Sequence, residues 1–184
     1  MKPHPDAVLL KKLFPSVRIY QKLAKKHGIP DIFQDNGGKI LQVCLVLGLK
    51  VLGSREGNDA IDADGNEYEL KTVNLVRTDQ FTTHHHLNPV IIAKYRKVDW
   101  IFSTYEDIEL KEIYRLKPAA MEYWYQKWAA KWKADGDKDI NNPKVPFSYV
   151  KKNGELLYSS VGENLEDTLP KAARKAAKAL PPKS

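Results

Sequence analysis

The clearest alternation of apolar and polar positions in the chain lies between residues 67 and 73. Successive side chains of a strand point to opposite faces, so this pattern predicts a strand with Glu69 and Lys71 on the same face. Residues 60–62 predict a preceding strand, and the Asp-Gly dipeptide at 64–65 is typical of a tight hairpin turn. The segment therefore predicts a β-hairpin.

Helical spacing of apolar residues predicts helices on both sides of this hairpin. Residues 6–26 predict two helical segments separated by a break at Pro15, because proline disrupts a helix interior. Residues 39–48 predict a buried helix, and Pro89 suits the first position of a third. A long helix is predicted from Pro118 to about residue 132. Its tryptophan stripe is predicted to pack in the core rather than to stack on bases: Trp124, Trp128 and Trp132.

Further strands are predicted near the carboxyl end. Residues 100–105 and 108–116 predict a strand pair, and residues 145–150 and 155–158 predict a last hairpin. The order of helices and strands predicts a mixed α/β fold in which helices flank a central mixed β-sheet.

Composition adds a basic character to this fold. The 184 residues carry 30 lysines and arginines against 23 aspartates and glutamates, a net charge of +7, which favours a polyanionic partner. The single cysteine, Cys44, lies in an apolar stretch and fits a reducing cytoplasm. No apolar run is long enough to span a membrane.

We expect one domain over residues 1–158 and a basic tail over residues 159–184. The tail carries a helix-prone repeat that places four cations on one face: Lys171, Arg174, Lys175 and Lys178. This face suits either contact with DNA phosphates or simple solvation. The apolar residues of the first helical region suit either a core or a subunit interface.

The predicted hairpin carries candidate chemistry. Asp59 lies across it from Glu69, so the two carboxylates can converge on one divalent cation beside Lys71. Such a site can bind Mg²⁺ and hydrolyse a phosphodiester. Carboxylates on hairpins are more often solvated, and the hairpin alone does not decide between these two interpretations.

Longer blocks of sequence carry a resemblance to a known family. Asp59 together with Glu69-Leu-Lys71 resembles the PD-(D/E)xK nuclease motif, although Asn58 stands where that motif has proline. The chain more specifically resembles the PvuII family of type II restriction endonucleases. The blocks that carry this resemblance are residues 26–29, 31–39, 55–60, 67–71, 83–86, 88–96 and 138–144.

This resemblance implies a restriction endonuclease-like fold and a Mg²⁺-dependent homodimeric enzyme. Its expected target is a palindromic six-base-pair site in double-stranded DNA, CAGCTG, cut at its centre to leave blunt ends. Asp59 and Glu69 would hold the metal, and Lys71 would position or activate the attacking water. Glu56 and Tyr95 match supporting positions. A DNA methyltransferase would protect the host genome without forming a stable complex.

The resemblance also assigns residues to DNA binding. Asparagine can bond adenine, and histidine can donate to guanine, in the major groove. The candidate DNA-binding residues are Asp35, Thr82, His84, His85, His86, Lys138, Asn141 and Asn142. Among them, Asp35 is expected to reach the DNA from the other groove. A structure-specific nuclease of the same superfamily and a non-catalytic DNA-binding module remain the two competing hypotheses.

Overall fold

A six-stranded mixed sheet forms the centre of the computed structural model, which describes residues 3–52 and 58–160. The helices are α1 (Ala7–Lys26), α2 (Gly37–Leu47), α3 (Pro89–Tyr95), α4 (Pro118–Ala134) and α5 (Phe147–Asn153). The strands are β1 (Lys50–Val51), β2 (Ala60–Ile61), β3 (Glu67–Asn74), β4 (Gln80–Thr82), β5 (Asp99–Glu106), β6 (Glu109–Leu116), β7 (Lys144–Pro146) and β8 (Glu155–Ser159). The sheet order is β1-β2-β3-β5-β6-β8, with β4 and β7 paired separately.

Strand β3 lies inside this sheet between two different neighbours. It pairs antiparallel with β2, placing Ala60 opposite Tyr68, and parallel with β5, placing Lys71 opposite Phe102. The predicted mixed α/β fold with a central mixed sheet is therefore confirmed. A parallel pair needs a crossover connection, which here contains α3.

The predicted hairpin is also confirmed, and its turn chemistry is local. The carboxylate of Asp62 accepts hydrogen bonds from the backbone N–H groups of Asp64 and Asn66, each at 2.9 Å. Gly65 has a φ of +87°, a conformation that costs glycine little. These contacts fix the register of β2 on β3, and hence the relative positions of Asp59 and Glu69.

The sheet is covered on both faces. One cluster packs Cys44 of α2 against Leu70 and Ile101 of the sheet. The other packs Trp100 and neighbouring sheet residues against α3 and α4. Opposite faces of β3 and β5 thus pack on different helices.

The tryptophans of α4 lie where the helical spacing predicted. Trp124 and Trp128 are 8% and 3% exposed, and Trp132 packs against the same cluster. Burial of these rings confirms the prediction that they belong to the core.

Helix α3 begins as its sequence predicts. The side chain of Asn88 accepts hydrogen bonds from the backbone N–H groups of Val90 and Ile91, and Pro89 occupies the first helical position. This cap sets the direction in which α3 delivers Tyr95 to the sheet.

Two predictions about secondary structure are wrong. Helix α1 continues through Pro15 instead of breaking there. Pro15 and Lys11 are both exposed, so water can solvate the carbonyl that the proline leaves unbonded. The predicted last hairpin does not form either, because Phe147–Asn153 is helical and β8 pairs antiparallel with β6.

Some predictions fall outside the described residues. Glu56 lies between the two described ranges, and the tail cations Lys171, Arg174, Lys175 and Lys178 follow residue 160. Within the described part of the chain, Ser159 ends β8, so the first residue assigned to the tail belongs to the sheet. No helix among the described residues is long and apolar enough to cross a membrane.

Candidate active site

Strand β3 places Glu69 and Lys71 on one face, and a tyrosine joins them. The ammonium of Lys71 donates a hydrogen bond to Glu69 Oε1, and the hydroxyl of Tyr95 donates to the same oxygen at 3.1 Å. Glu69 is only 5% exposed. The carboxylate is therefore held by two donors from different elements, with little freedom to rotate.

Asp59 is fixed across the hairpin by the backbone of β3. Its Oδ2 accepts a hydrogen bond from the Leu70 N–H at 2.8 Å, and its own N–H donates to the Tyr68 carbonyl at 3.0 Å. The preceding Asn58, the departure from the nuclease motif, donates from its side chain to Glu67. Asn58 therefore contacts the neighbouring carboxylate and leaves Asp59 in the site.

Burial and the neighbouring positive charge shift the pKa of Glu69 in opposite directions. Loss of hydration raises the pKa of its carboxyl, and the nearby Asp59 raises it further. Lys71 and the Tyr95 hydroxyl act in the opposite direction, because both stabilise the ionised form. The net direction is upward, so two neighbouring carboxylates are kept at an electrostatic cost that a bound cation would remove.

Asp59, Glu69 and Lys71 line one cleft of about 870 Å³. Its lining includes Asp59, Glu69, Lys71, Tyr95 and His84. The two carboxylates and the ammonium therefore line the same cleft.

A smaller cleft of about 330 Å³ adjoins the first. Asp59 and Lys71 line both clefts, while Asp35 and Thr82 line only the smaller one. The structure thus brings two of the predicted DNA-binding residues next to the predicted catalytic residues.

The histidine and asparagine segments meet through the small β4–β7 sheet. Thr82 pairs with Lys144, and the Asn142 N–H donates to the His84 carbonyl at 2.8 Å. The Asn142 side-chain nitrogen lies 3.2 Å from His85 Nδ1. Two segments that are far apart in the sequence therefore form one surface.

The three histidines occupy different environments on this surface. His85 and His86 are exposed, whereas His84 is half-buried in the large cleft with its ring 6.1 Å from that of Tyr95. Burial lowers the pKa of His84, and the charge of Lys71 lowers it further. His84 therefore lies beside the candidate catalytic residues, apart from the exposed pair.

The asparagine loop presents most of its predicted residues to solvent. Lys138 and Asn141 are exposed, and Asn142 is half-buried with a φ of +49°. Asparagine tolerates this left-handed conformation better than most residues. The loop can therefore keep a tight turn while it presents amide groups at its surface.

The number of carboxylates in the catalytic cleft suits a magnesium ion. Within residues 3–52 and 58–160, no group of three or more His, Cys, Asp or Glu side chains could hold a metal ion. Mg²⁺ is commonly bound by only one or two carboxylates, with water and substrate phosphate completing its shell. Asp59 and Glu69, which share a cleft and repel each other, fit that mode of binding.

The support behind Tyr95 was not predicted from the sequence. The Tyr125 hydroxyl of α4 donates to the Tyr95 carbonyl at 3.0 Å, and the Trp100 ring packs edge-on against the Tyr95 ring at 4.6 Å. The two residues come from separate elements, and only the tertiary fold brings them together. They restrict the position from which Tyr95 reaches Glu69.

Comparison with known proteins identifies the family. The sequence profile of the family described as restriction endonuclease PvuII matches residues 5–158. This match covers most of the chain, including the hairpin, the histidine segment and the asparagine loop. Members of this family act on double-stranded DNA, and restriction endonucleases generally use a divalent metal. The chain therefore belongs to the PvuII restriction endonuclease family and is a type II site-specific deoxyribonuclease.

Proposed function

We propose that this endonuclease cuts the palindrome CAGCTG at its centre, leaves blunt ends and depends on Mg²⁺. The observation that carries the proposal is the convergence of Asp59, Glu69 and Lys71 in one cleft, next to the histidine and asparagine segments. A hydrolytic group and a base-reading surface then lie on the same face of one protomer.

Asp59 and Glu69 are the residues that would hold Mg²⁺. When bound, this ion polarises a phosphate oxygen and lowers the pKa of a coordinated water. Lys71 provides a positive charge in the cleft that can orient the attacking water or stabilise charge on the phosphate. Tyr95 and its neighbours hold Glu69 in place.

The bases are read by the exposed residues around the β4–β7 sheet. Asn141 and Asn142 present amides that suit the N6 and N7 of adenine, and His85 and His86 can donate to guanine acceptors. Thr82 and Lys138 add contacts at the edges of this surface. Asp35, in the smaller cleft, approaches DNA from the other groove. Reading and cutting are thus assigned to neighbouring groups of residues.

The first base-reading prediction concerns Asn141. Asn141→Ala is expected to reduce the preference for the cognate site by about 1–3 kcal/mol per lost base contact. Competition binding compares the affinities for cognate and random duplexes in the same titration. Ser148→Ala, at an exposed position of α5, is the control and should leave the preference unchanged. Equal losses on both duplexes would instead make Asn141 a sequence-independent contact.

Helix α1 supports the proposal of a homodimer. Several of its large apolar side chains are exposed in the single chain, including Val8 at 61%, Leu10 at 60% and Ile19 at 69%. Exposed apolar patches often mark protein interfaces. A two-fold dimer would present two identical reading surfaces to a palindrome, so that each protomer reads half of the site.

A charged side chain introduced on the exposed apolar surface of α1 tests the proposed dimer interface. Ile19→Glu is expected to raise the dimer dissociation constant at least about tenfold, because a loss of only 1.4 kcal/mol has that effect. Sedimentation equilibrium measures the change. Ser148→Glu, at an exposed position of α5 away from α1, is the control. A dimer unchanged by Ile19→Glu would exclude this part of the helix from the interface.

A third prediction uses the hydrogen bond between Tyr95 and Glu69. The Tyr95 hydroxyl stabilises the ionised carboxylate, so Tyr95→Phe should raise the pKa of Glu69 further. Metal binding needs the ionised form, and the acid limb of the cleavage pH profile should therefore move to higher pH. Tyr105→Phe, which removes a hydroxyl bonded to the Lys39 carbonyl, is the control. An unshifted acid limb would show that the Tyr95 hydroxyl does not control the pKa of Glu69.

The cellular setting follows from the same proposal. An enzyme that cuts CAGCTG would act in the cytoplasm on incoming DNA, with the host sites protected by a methyltransferase that forms no stable complex with it. The catalytic unit is assigned to residues 1–158, with residues 159–184 as a basic extension. Methylated and unmethylated plasmids, offered together, test whether modification of the site blocks cleavage.

Digestion of DNA distinguishes the proposed function from its alternatives. Incubation with plasmid and Mg²⁺ should yield discrete, blunt-ended fragments. Cleavage of branched DNA alone would favour a structure-specific nuclease, and specific binding without cleavage in any divalent metal would favour a binding module.

A further inference from the structure

A third cleft of about 590 Å³ adjoins the catalytic cleft. The two clefts share Glu67, Lys97 and Val98 in their linings. The third cleft also contains Arg115 and Lys117, and it shares no lining residue with the predicted base-reading set. It is therefore a continuation of the catalytic cleft away from the reading surface.

The three clefts follow one another along β3. Thr72 lines the cleft that contains Asp35 and Thr82, whereas Glu67 lines the catalytic and third clefts. A strand rises about 3.3 Å per residue, so Glu67 and Thr72 are separated by roughly 16 Å. The third cleft thus lies at the end of the catalytic cleft opposite the predicted readers.

Three lysines line this continuous path without an ion pair among the described residues: Lys94, Lys97 and Lys117. All three are exposed, and we refer to them as the lysine row. Arg115 differs from them, because Glu155 at 2.6 Å and Asp99 at 3.9 Å engage its charge. The lysine row therefore supplies positive charge that no described carboxylate neutralises by direct contact.

Electrostatics gives the lysine row a specific ligand. Asp59 and Glu69 are negative and repel a DNA backbone that approaches without metal, so nearby cations are needed to offset that repulsion. A duplex carries one phosphate per strand for about every 3.4 Å of axis, so a strand with one phosphate at Lys71 must place further phosphates beyond it. The roughly 16 Å along β3 is long enough to accommodate more than one phosphate of that strand.

We propose that the lysine row binds backbone phosphates of the cleaved strand on the side of the scissile phosphate that faces away from the base-reading segments. This inference rests on the proposed function, since it assumes that a strand is held at Lys71. The three lysines are positioning residues: they hold the strand in register with the carboxylates and read no base.

The salt dependence of binding is the first test. Lys117→Gln, made in the cleavage-deficient Asp59→Asn background, should make the negative slope of log affinity against log salt less steep. One lost phosphate contact per protomer corresponds to a decrease of about 1.8 for a dimer on duplex DNA. Lys152→Gln, at an exposed position of α5 with no ion pair to any described residue, is the matched control and should leave the slope unchanged. Equal slopes for Lys117→Gln and its parent would overturn the inference.

Methylphosphonate substitution then locates the contact. Neutral linkages are placed singly along the cleaved strand of a cognate duplex, and binding is measured for the Lys117 variant and its parent. The inference predicts that one or two linkages, all on one side of the scissile phosphate, weaken the parent and no longer weaken the variant. The inference is contradicted if the difference between parent and variant is the same at every linkage, or if it occurs on both sides of the scissile phosphate.

These tests distinguish the inference from the proposed function. If the wild-type enzyme cuts plasmid into discrete fragments and Lys117→Gln behaves like Lys152→Gln, only the lysine row is refuted. If the wild-type enzyme cuts no DNA and shows no preference for a cognate duplex, the proposed function itself has failed.

Discussion

Replacing Asp59 with asparagine is expected to lower the single-turnover cleavage rate by at least about 10³-fold, because it removes one of the two carboxylates assigned to the metal. The substitution keeps the size of the side chain, and an amide oxygen can still accept the Leu70 N–H bond. We therefore expect the hairpin and the dimer to persist. Single-turnover cleavage of a radiolabelled cognate duplex in Mg²⁺ measures the rate.

Asp64→Asn is the matched control for this change. Asp64 lies in the same hairpin but is exposed in its turn, outside the three clefts along β3. Its replacement should leave the cleavage rate close to that of the wild type. Retention of full activity by Asp59→Asn would refute the assigned metal site.

Lys71→Ala is expected to lower the cleavage rate by about 10²–10³-fold, the range typical of losing one group that stabilises a charged transition state. The positive charge leaves the cleft, while Asp59 and Glu69 remain available to a metal. Metal binding should therefore survive, in contrast to Asp59→Asn. Calorimetric titration with Mg²⁺ and single-turnover cleavage measure the two properties separately.

Lys111→Ala provides the control for loss of a lysine. Lys111 pairs with Glu106 and Glu109 at the β5–β6 turn and lines none of the described clefts. We expect its removal to leave both cleavage and metal binding unchanged. If Lys71→Ala retained full cleavage, the charge in the cleft would have no role in the reaction.

The parts of the fold that the sequence predicts correctly are those with local causes. The β2–β3 hairpin follows from alternation and from a turn in which the Asp62 side chain bonds only residues within six positions of it. The start of α3 follows from Asn88 and Pro89 in the same way. In each case neighbouring residues supply the partners, so that no knowledge of the tertiary structure is needed.

The errors arise where distant contacts decide the structure. The sequence predicts a strand over residues 145–150, but β7 ends at Pro146 on β4, and the chain then turns into α5. Strand β8 consequently pairs with β6 rather than with its sequence neighbour. Pro15 is tolerated because it lies on an exposed side of α1, which a sequence pattern does not show.

The candidate site also has one part that local spacing predicts and another part that depends on distant contacts. Spacing alone places Glu69 and Lys71 on one face of β3, as the structure confirms. The approach of Tyr95 to Glu69, and of Asn142 to His84 and His85, depends on contacts across 26 to 58 positions and was suggested only by the family resemblance. The structure adds that His84 lies in the catalytic cleft, beside Tyr95.

We propose that one protomer couples a catalytic hairpin to a neighbouring surface that selects the site. Sequencing both strands at the ends of every fragment from a Mg²⁺ digest of a plasmid tests this coupling. All ends should be blunt, and each should fall at the centre of CAGCTG. Ends at unrelated sequences, or ends determined by DNA branches alone, would contradict it.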